Sequence, residues 1–339
     1  MKKARFLLLF FIAISVFAQQ EPNLAKYKTT TEKLNVWLKY TNALLDKEDY
    51  LKLITAAQKG ISLSENHPAY KSRFYLYAGT AYEFSNNQYE KALINYEKSL
   101  KYAQQVHHLK NETSALMRLN YIYYSVRDTV KGKALTNYIK QILDTTKSNY
   151  TKAVLNGSLA EYYQNNSEYE TFIGYQLKAI TFKKLLKKDK VNQENIGISY
   201  LQIGSSYTRM KQYSKAIEYL NEAKPYVKNS PYVNAFLCNY YLQSFVALKK
   251  TDSIQKYYNL IYTYPTAKDS LFLNLSFANR SMSDHYINEG KPNTAYNYAK
   301  KAVVFGEKSN DEEILMEANT ALGRVLYDKG EYKKAIETL

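Results

Sequence analysis

A recurrence of about forty residues constrains this chain of 339 residues more than any other feature. It is clearest at Tyr200, Ile203, Gly204, Tyr207, Tyr213, Ala216, Leu220 and Ala223. An aromatic residue, followed three and four places later by an apolar and a small one, sets a bulky side chain beside a gap on one helix face. The gap admits a second helix, and Ala216 and Ala223, two turns apart, give that helix a small face of its own. A helix pair of this kind leaves an apolar flank that only the next pair can cover, so the pattern demands a stack of repeats.

Aligning the small residue of each unit gives anchors at Thr41, Gly79, Asn120, Ala160, Gly204, Tyr241, Ser283 and Gly323, separated by 38, 41, 40, 44, 37, 42 and 40 residues. The first unit shows Trp37, Leu44, Tyr50, Leu53, Ala57 and Gly60 in register. The seventh shows Met282, Ser283, Tyr286, Gly290, Ala295 and Ala302, and the eighth Leu322, Gly323, Leu326, Gly330, Tyr332 and Ala335. The second fits through Ala78, Gly79, Tyr82, Ala92 and Tyr96 once one residue is added to its turn. In the third and sixth, Asn120 and Tyr241 occupy the small-residue place.

This pattern resembles the tetratricopeptide repeat (TPR), with its consensus W-x2-L-G-x2-Y, then A-x3-F, then a closing proline. The resemblance covers roughly residues 34–339 and implies an all-α fold, a right-handed α-solenoid of about eight helix-turn-helix repeats. The period exceeds the usual thirty-four by about six residues, which lengthens each helix pair by about 9 Å. Scarce Gly (11) and Pro (6) agree with long helices. Pro68, Pro231 and Pro265 fall between repeats, Pro225 after a second helix, and Pro292 in the first turn of one. Compact cores stop growing near about 250–300 residues, and a solenoid escapes that limit by adding core one repeat at a time.

Ahead of a lead-in at 19–33 and the array at 34–339, residues 1–18 read as a signal peptide: a basic head of Lys2, Lys3 and Arg5, an apolar run from Phe6 to Phe17, and Val16 with Ala18 before Gln19. A run of about 12 residues is short for about 30 Å of hydrocarbon, which favours cleavage over anchoring. The mature chain is expected on the periplasmic or extracytoplasmic side of the membrane. Cys238, the one cysteine, is expected at position 5 of a first helix as a packed hydrophobe. Net charge is +16, or +13 without the three leader cations, which suits an acidic partner. Lys, Asn and 36 Tyr are all abundant, however, as in an AT-rich genome, and the cations are scattered. The densest run, Lys183, Lys184, Lys187, Lys188 and Lys190, reads as a solvated helix end. Nucleic acid is not expected as a partner of this region.

Catalysis finds little in the residues. His67, His107, His108 and His285 are dispersed, and there is no phosphate loop, nucleophile elbow or H-E-x-x-H. No metal or cofactor is expected. Tyr82, Tyr163, Tyr169, Tyr207 and Tyr213 fall where the TPR pattern calls for packed aromatics. In the repeats this chain resembles, positions 2, 5, 9 and 12 line a concave groove. That places Arg73 at 2, Arg280 at 5, Tyr121, Glu161, Asp284 and Arg324 at 9, and Tyr124, Gln164 and Tyr327 at 12, with Arg118 and Gln202 at 6 on the margin. Aromatics and Arg dominate interface energetics, so the expected occupant is a protein segment or peptide. No repeat pairs Lys at 5 with Asn at 9, the pair that clamps a peptide's terminal carboxylate in some TPR proteins.

The chain stops inside a second helix, with Leu322, Ala335, Ile336 and Leu339 still wanting a neighbour, so it is expected to be the front of a longer protein. A leader followed by long Lys- and Tyr-rich repeats resembles the layout of bacterial TPR sensor histidine kinases and TPR-fused helix-turn-helix regulators, many from Bacteroidetes. That layout implies an extracytoplasmic sensor, with any membrane contact made through a C-terminal segment that would follow. The alternative is a free-standing secreted or periplasmic scaffold that assembles envelope proteins.

Overall fold

A computed structural model describes residues 21–86, 88–264 and 268–339. The leader assigned to 1–18 and Pro265 lie outside the described residues. Among those residues the chain forms sixteen α-helices and one 3-10 turn, Leu24–Lys26. They follow as α1 (Thr30–Asp46) and α2 (Tyr50–Leu63), α3 (Pro68–Asn86) and α4 (Tyr89–Gln105), α5 (Leu109–Ser125) and α6 (Thr129–Thr145), α7 (Asn149–Asn165) and α8 (Tyr169–Lys184). The second half continues with α9 (Lys190–Arg209) and α10 (Tyr213–Ala223), α11 (Pro231–Ala247) and α12 (Thr251–Ile261), α13 (Lys268–Asn288) and α14 (Pro292–Ser309), α15 (Glu312–Asp328) and α16 (Tyr332–Thr338). The all-α repeat architecture expected from the spacing is present, with one anchor on each odd-numbered helix.

Packing divides the chain into two compact units, one ending at Asn137 and the other running Tyr138–Leu339, with the division inside α6. In the first, Leu34, Trp37, Leu53, Phe74 and Tyr77 form a buried core between α1, α2 and α3. In the second, Phe172, Ile196, Ile203, Leu220 and Val227 form one cluster, and Leu242, Ile254, Ile261 and Met282 another.

Local sequence sets the helix ends. Thr29 and Glu32 form a reciprocal capping box on α1, and Asp49, Ser148, Asp189 and Asp311 each accept a first-turn amide. Pro68, Pro231 and Pro292 are the first residues of α3, α11 and α14, where a missing N–H costs nothing. Seven of the odd helices, all but α3, close alike: a left-handed residue stands at Glu48, Arg127, Ser167, Lys211, Lys249, Gly290 and Gly330. The amide after it reaches back five residues, as Gln212 does to the Tyr207 carbonyl at 2.9 Å.

This recurring turn supplies an independent ruler for the register. The left-handed residue falls seven places after Thr41, Asn120, Ala160, Gly204, Ser283 and Gly323, which supports Asn120 as the third anchor. In the second repeat Gln88 reaches back six residues, to Tyr82, so its turn carries the expected extra residue. In the sixth repeat the ruler points to Leu242, seven before Lys249, and corrects the Tyr241 anchor by one residue. Leu242 is fully buried in the helix contact. Tyr241 turns aside, stacking on Tyr257 at 4.7 Å and donating its hydroxyl to Asn221 Oδ1 at 2.6 Å. Cys238 accordingly moves from position 5 to position 4, and its burial pushes the thiol up to about 11.

Two of the tyrosines expected to pack, Tyr163 and Tyr207, do so as half-buried stacks. Tyr163 lies on Tyr175 at 5.4 Å and Tyr207 on Tyr219 at 5.3 Å, rings that bridge an odd helix and the even helix after it. Lysines cover these stacks: Lys140 donates to the Tyr163 hydroxyl, and Lys178, Lys184 and Lys215 stand 5.1, 5.3 and 5.5 Å from the rings of Tyr175, Tyr200 and Tyr207. Much of the basic excess thus has a structural use.

The lysine run at 183–190 is solvated at Lys184, Lys187, Lys188 and Lys190 but not at Lys183, which corrects that part of the expectation. The Lys183 ammonium turns in to donate to Ser199 Oγ at 2.7 Å and the Asn195 carbonyl at 3.4 Å. Burial pulls its pKa down to about 8, against the opposing pull of Glu161. Between about pH 8 and the ordinary value near 10.5, the unfolded chain holds a proton that the native chain has lost. Native stability therefore gains on that account as pH rises. Lys183→Met is expected to raise the urea midpoint at pH 7, with its advantage over the wild type narrowing by pH 9. An advantage equal at the two pH values would mean that the ammonium is solvated.

Candidate partner-binding surface

The first unit places four of the groove residues. Arg118, Tyr121 and Tyr124 share α5, and their spacing of three puts them on one helix face. Tyr121 is 39% and Tyr124 48% exposed, well beyond their neighbours Leu119, Asn120 and Ile122, which are buried. Arg118 lies between two groups of α3: its guanidinium stands 5.5 Å from the Phe84 ring, and Nη1 is 3.5 Å from Glu83 Oε1. Phe84, half exposed, stacks on Tyr50 at 5.7 Å. Glu83 is buried, accepting from the Tyr96 hydroxyl, whose own burial holds that phenol far above its ordinary range. The outcome is an open aromatic face with a cation fixed at its edge. Arg73, on α3, stands apart from it against Tyr77, at 4.9 Å from that ring.

In the second unit Glu161 and Gln164 lie on α7, Glu161 exposed and Gln164 half-buried. Gln202 on α9 accepts a hydrogen bond from Gln176 Nε2 of α8. Arg280 and Asp284 on α13 meet α15: Arg280 pairs with Glu317, and Arg324 pairs with Asp284. Burial pushes the Asp284 carboxyl up, and the two arginines oppose that push. Tyr327 is 64% exposed and lies edge-on to Tyr332 at 5.2 Å.

A cleft of about 290 Å³ opens beside these pairs, with Phe236 and Tyr240 from α11, Phe277 and Arg280 from α13, and Arg209 from α9 on its walls. Sequence reasoning missed most of them. With Leu242 as the sixth anchor, Phe236 falls at groove position 2 and Gln243, which also lines the cleft, at position 9. Phe277 and Glu317 hold position 2 of the seventh and eighth repeats, and Glu83 holds position 12 of the second.

Among the described residues no group of three His, Cys, Asp or Glu side chains is placed to hold a metal, and no helix is long and apolar enough to cross a membrane.

Residues 198–224 match the tetratricopeptide repeat family model. No curated protein matches the chain. Several solved structures share its fold. The apo form of RapI aligns at TM-score 0.58 and 10% identity, over 81% of this chain and 98% of that one. The apo quorum sensor NprR from B. thuringiensis aligns at TM-score 0.58 and 12% identity, over 83% of this chain and 78% of that one. A Rap protein complexed with competence and sporulation factor aligns at TM-score 0.54 and 10% identity, over 92% and 79%. At such identities the likeness is one of fold. Together with the matched repeat at 198–224, it makes this chain a helical-repeat protein of TPR architecture.

Proposed function

We propose that the chain is a non-catalytic scaffold that captures a protein segment or peptide on its odd helices, as the extracytoplasmic sensor part of a membrane-spanning signalling protein. The observation that carries the capture reading is the α5 face, where Tyr121 and Tyr124 stand open beside a cation already held by Phe84 and Glu83. Rigid aromatics and a pre-ordered arginine lose little entropy on binding, which is what an interface anchor needs. Two neighbours of the same fold, the quorum sensor NprR and a Rap protein complexed with competence and sporulation factor, support a signalling context. The leader-like residues 1–18 support export.

Replacing Arg118, Tyr121 and Tyr124 together with alanine is expected to weaken capture of a partner from an envelope extract at least tenfold while helicity is unchanged. Undiminished capture would sink the α5 assignment. The placement is tested separately, by fractionating source cells and weighing the intact species. A membrane-bound species well above 39.4 kDa supports the sensor reading. A soluble envelope species slightly lighter than that removes it and leaves the free-standing scaffold.

A further inference from the structure

The cleft of about 290 Å³ in the second unit runs along four successive odd helices, α9, α11, α13 and α15. Its middle is aromatic. The rings of Phe277 and Tyr240 meet edge-on with centroids 5.6 Å apart, and Phe236 stands one turn before Tyr240 on α11. All three are half-buried, so each keeps apolar surface open to whatever enters.

Four charged side chains line this cleft, and two of them answer one another: Arg280, 4.8 Å from the Phe277 ring, pairs with Glu317. The other two are Arg209, the last residue of α9, and Glu313, in the first turn of α15. Both are exposed, and among the described residues neither forms an ion pair. Arg209 faces the aromatic floor: burial lifts the Tyr240 phenol above its ordinary range, and Arg209 is the chief charge opposing that shift. Helices α9 and α15 are the outer two of the row, with α11 and α13 between them. The cleft therefore has an unanswered cation at one end, an unanswered carboxylate at the other, and rings in the middle.

We propose that this cleft binds a short apolar peptide by its two free ends. The terminal carboxylate lies on the Arg209 guanidinium, which offers it paired N–H donors, and the terminal ammonium lies on Glu313. Apolar side chains between the two ends cover Phe236, Tyr240 and Phe277. An internal protein segment carries neither terminal charge, so the ligand class is narrower than the one the α5 face takes. The volume stands at the small end of the range for ligand sites, about 300–1,000 Å³, which suits a peptide of about three residues.

The test is calorimetric titration of the full chain with the tripeptide leucyl-phenylalanyl-leucine, alongside its N-acetylated and its C-amidated forms. The free tripeptide is expected to bind at one site, and blocking either end to weaken it at least tenfold. In Arg209→Gln, amidation should make no further difference, and in Glu313→Gln, acetylation should make none, which ties each end to its own residue. Both positions are exposed, so the circular dichroism spectrum should not change. The Arg118, Tyr121 and Tyr124 triple variant should bind the tripeptide as the wild type does, so this site and the α5 face can fail separately. Absent tripeptide binding, blocked forms that bind as tightly as the free one, or an Arg209→Gln chain that still discriminates against the amide would each overturn the assignment.

Discussion

Replacing Trp37 with alanine is expected to destabilise the first unit by about 3–5 kcal/mol, the usual range for emptying a buried aromatic site. Trp37 is 1% exposed, packs 5.3 Å from Tyr40, and donates Nε1 to the Ala56 carbonyl at 2.7 Å, so it ties α1 to α2 by volume and by a buried hydrogen bond. The Lys59 ammonium lies 4.4 Å from the ring and would lose that contact as well. Trp37→Phe restores most of the volume without the donor and is expected to cost about 1–2 kcal/mol, the ordinary value of a lost buried hydrogen bond with some lost packing. Because Trp37 is the one tryptophan, wild-type fluorescence reports the unit in which it sits, while circular dichroism reports all the helices. Repeat arrays can unfold in parts. In urea the alanine variant should therefore lose an early fraction of its helical signal, the fraction that fluorescence follows in the wild type. A single unshifted transition would show that the α1–α2 contact contributes far less than its burial implies.

The repeat architecture was legible because the packing that builds it needs particular residues at fixed spacing. Small residues such as Gly204 and Ala216 face one another where helices touch, and no other arrangement of the chain uses that spacing. The sixth register was not legible, because α11 is apolar or aromatic over most of its surface and carries Tyr241 and Leu242, not a small residue, where the contact with the next helix falls. It is the left-handed turn at Lys249 that moves the anchor from Tyr241 to Leu242. That one-residue slip hid Phe236 and Gln243 from the groove positions. Glu83 and Glu317 fall at groove positions too, but what they do there follows from partners on other helices, Arg118 and Arg280, which only the fold brings into view. Lys183 belongs with them, since adjacent lysines on a helix point about 100° apart and only the fold decides which one turns inward.

Gly79→Val is expected to cost about 3 kcal/mol and to take partner capture with it, because a close helix approach at Gly79 also supports the α5 face. A Cβ built on Gly79 would stand 2.6 Å from Cδ1 and Cε1 of Tyr96, nearer than side-chain carbons approach. The ring cannot step aside freely, since Tyr96 is fully buried and its hydroxyl is held by Glu83. Moving it moves Glu83, and Glu83 is the carboxylate that faces Arg118. Gly174, on α8, gives the contrast: nothing lies within 4 Å of a Cβ there, so Gly174→Ala is expected to stabilise by about 0.5–1 kcal/mol through helix propensity alone. Tyr96→Phe separates packing from support. It keeps the ring and removes the bond to Glu83, so capture should weaken by more than the modest change in the urea midpoint would suggest. If Gly79→Val is as stable as the wild type, the helices of this unit can part without loss. If Tyr96→Phe captures as well as the wild type, Arg118 is positioned by Phe84 alone.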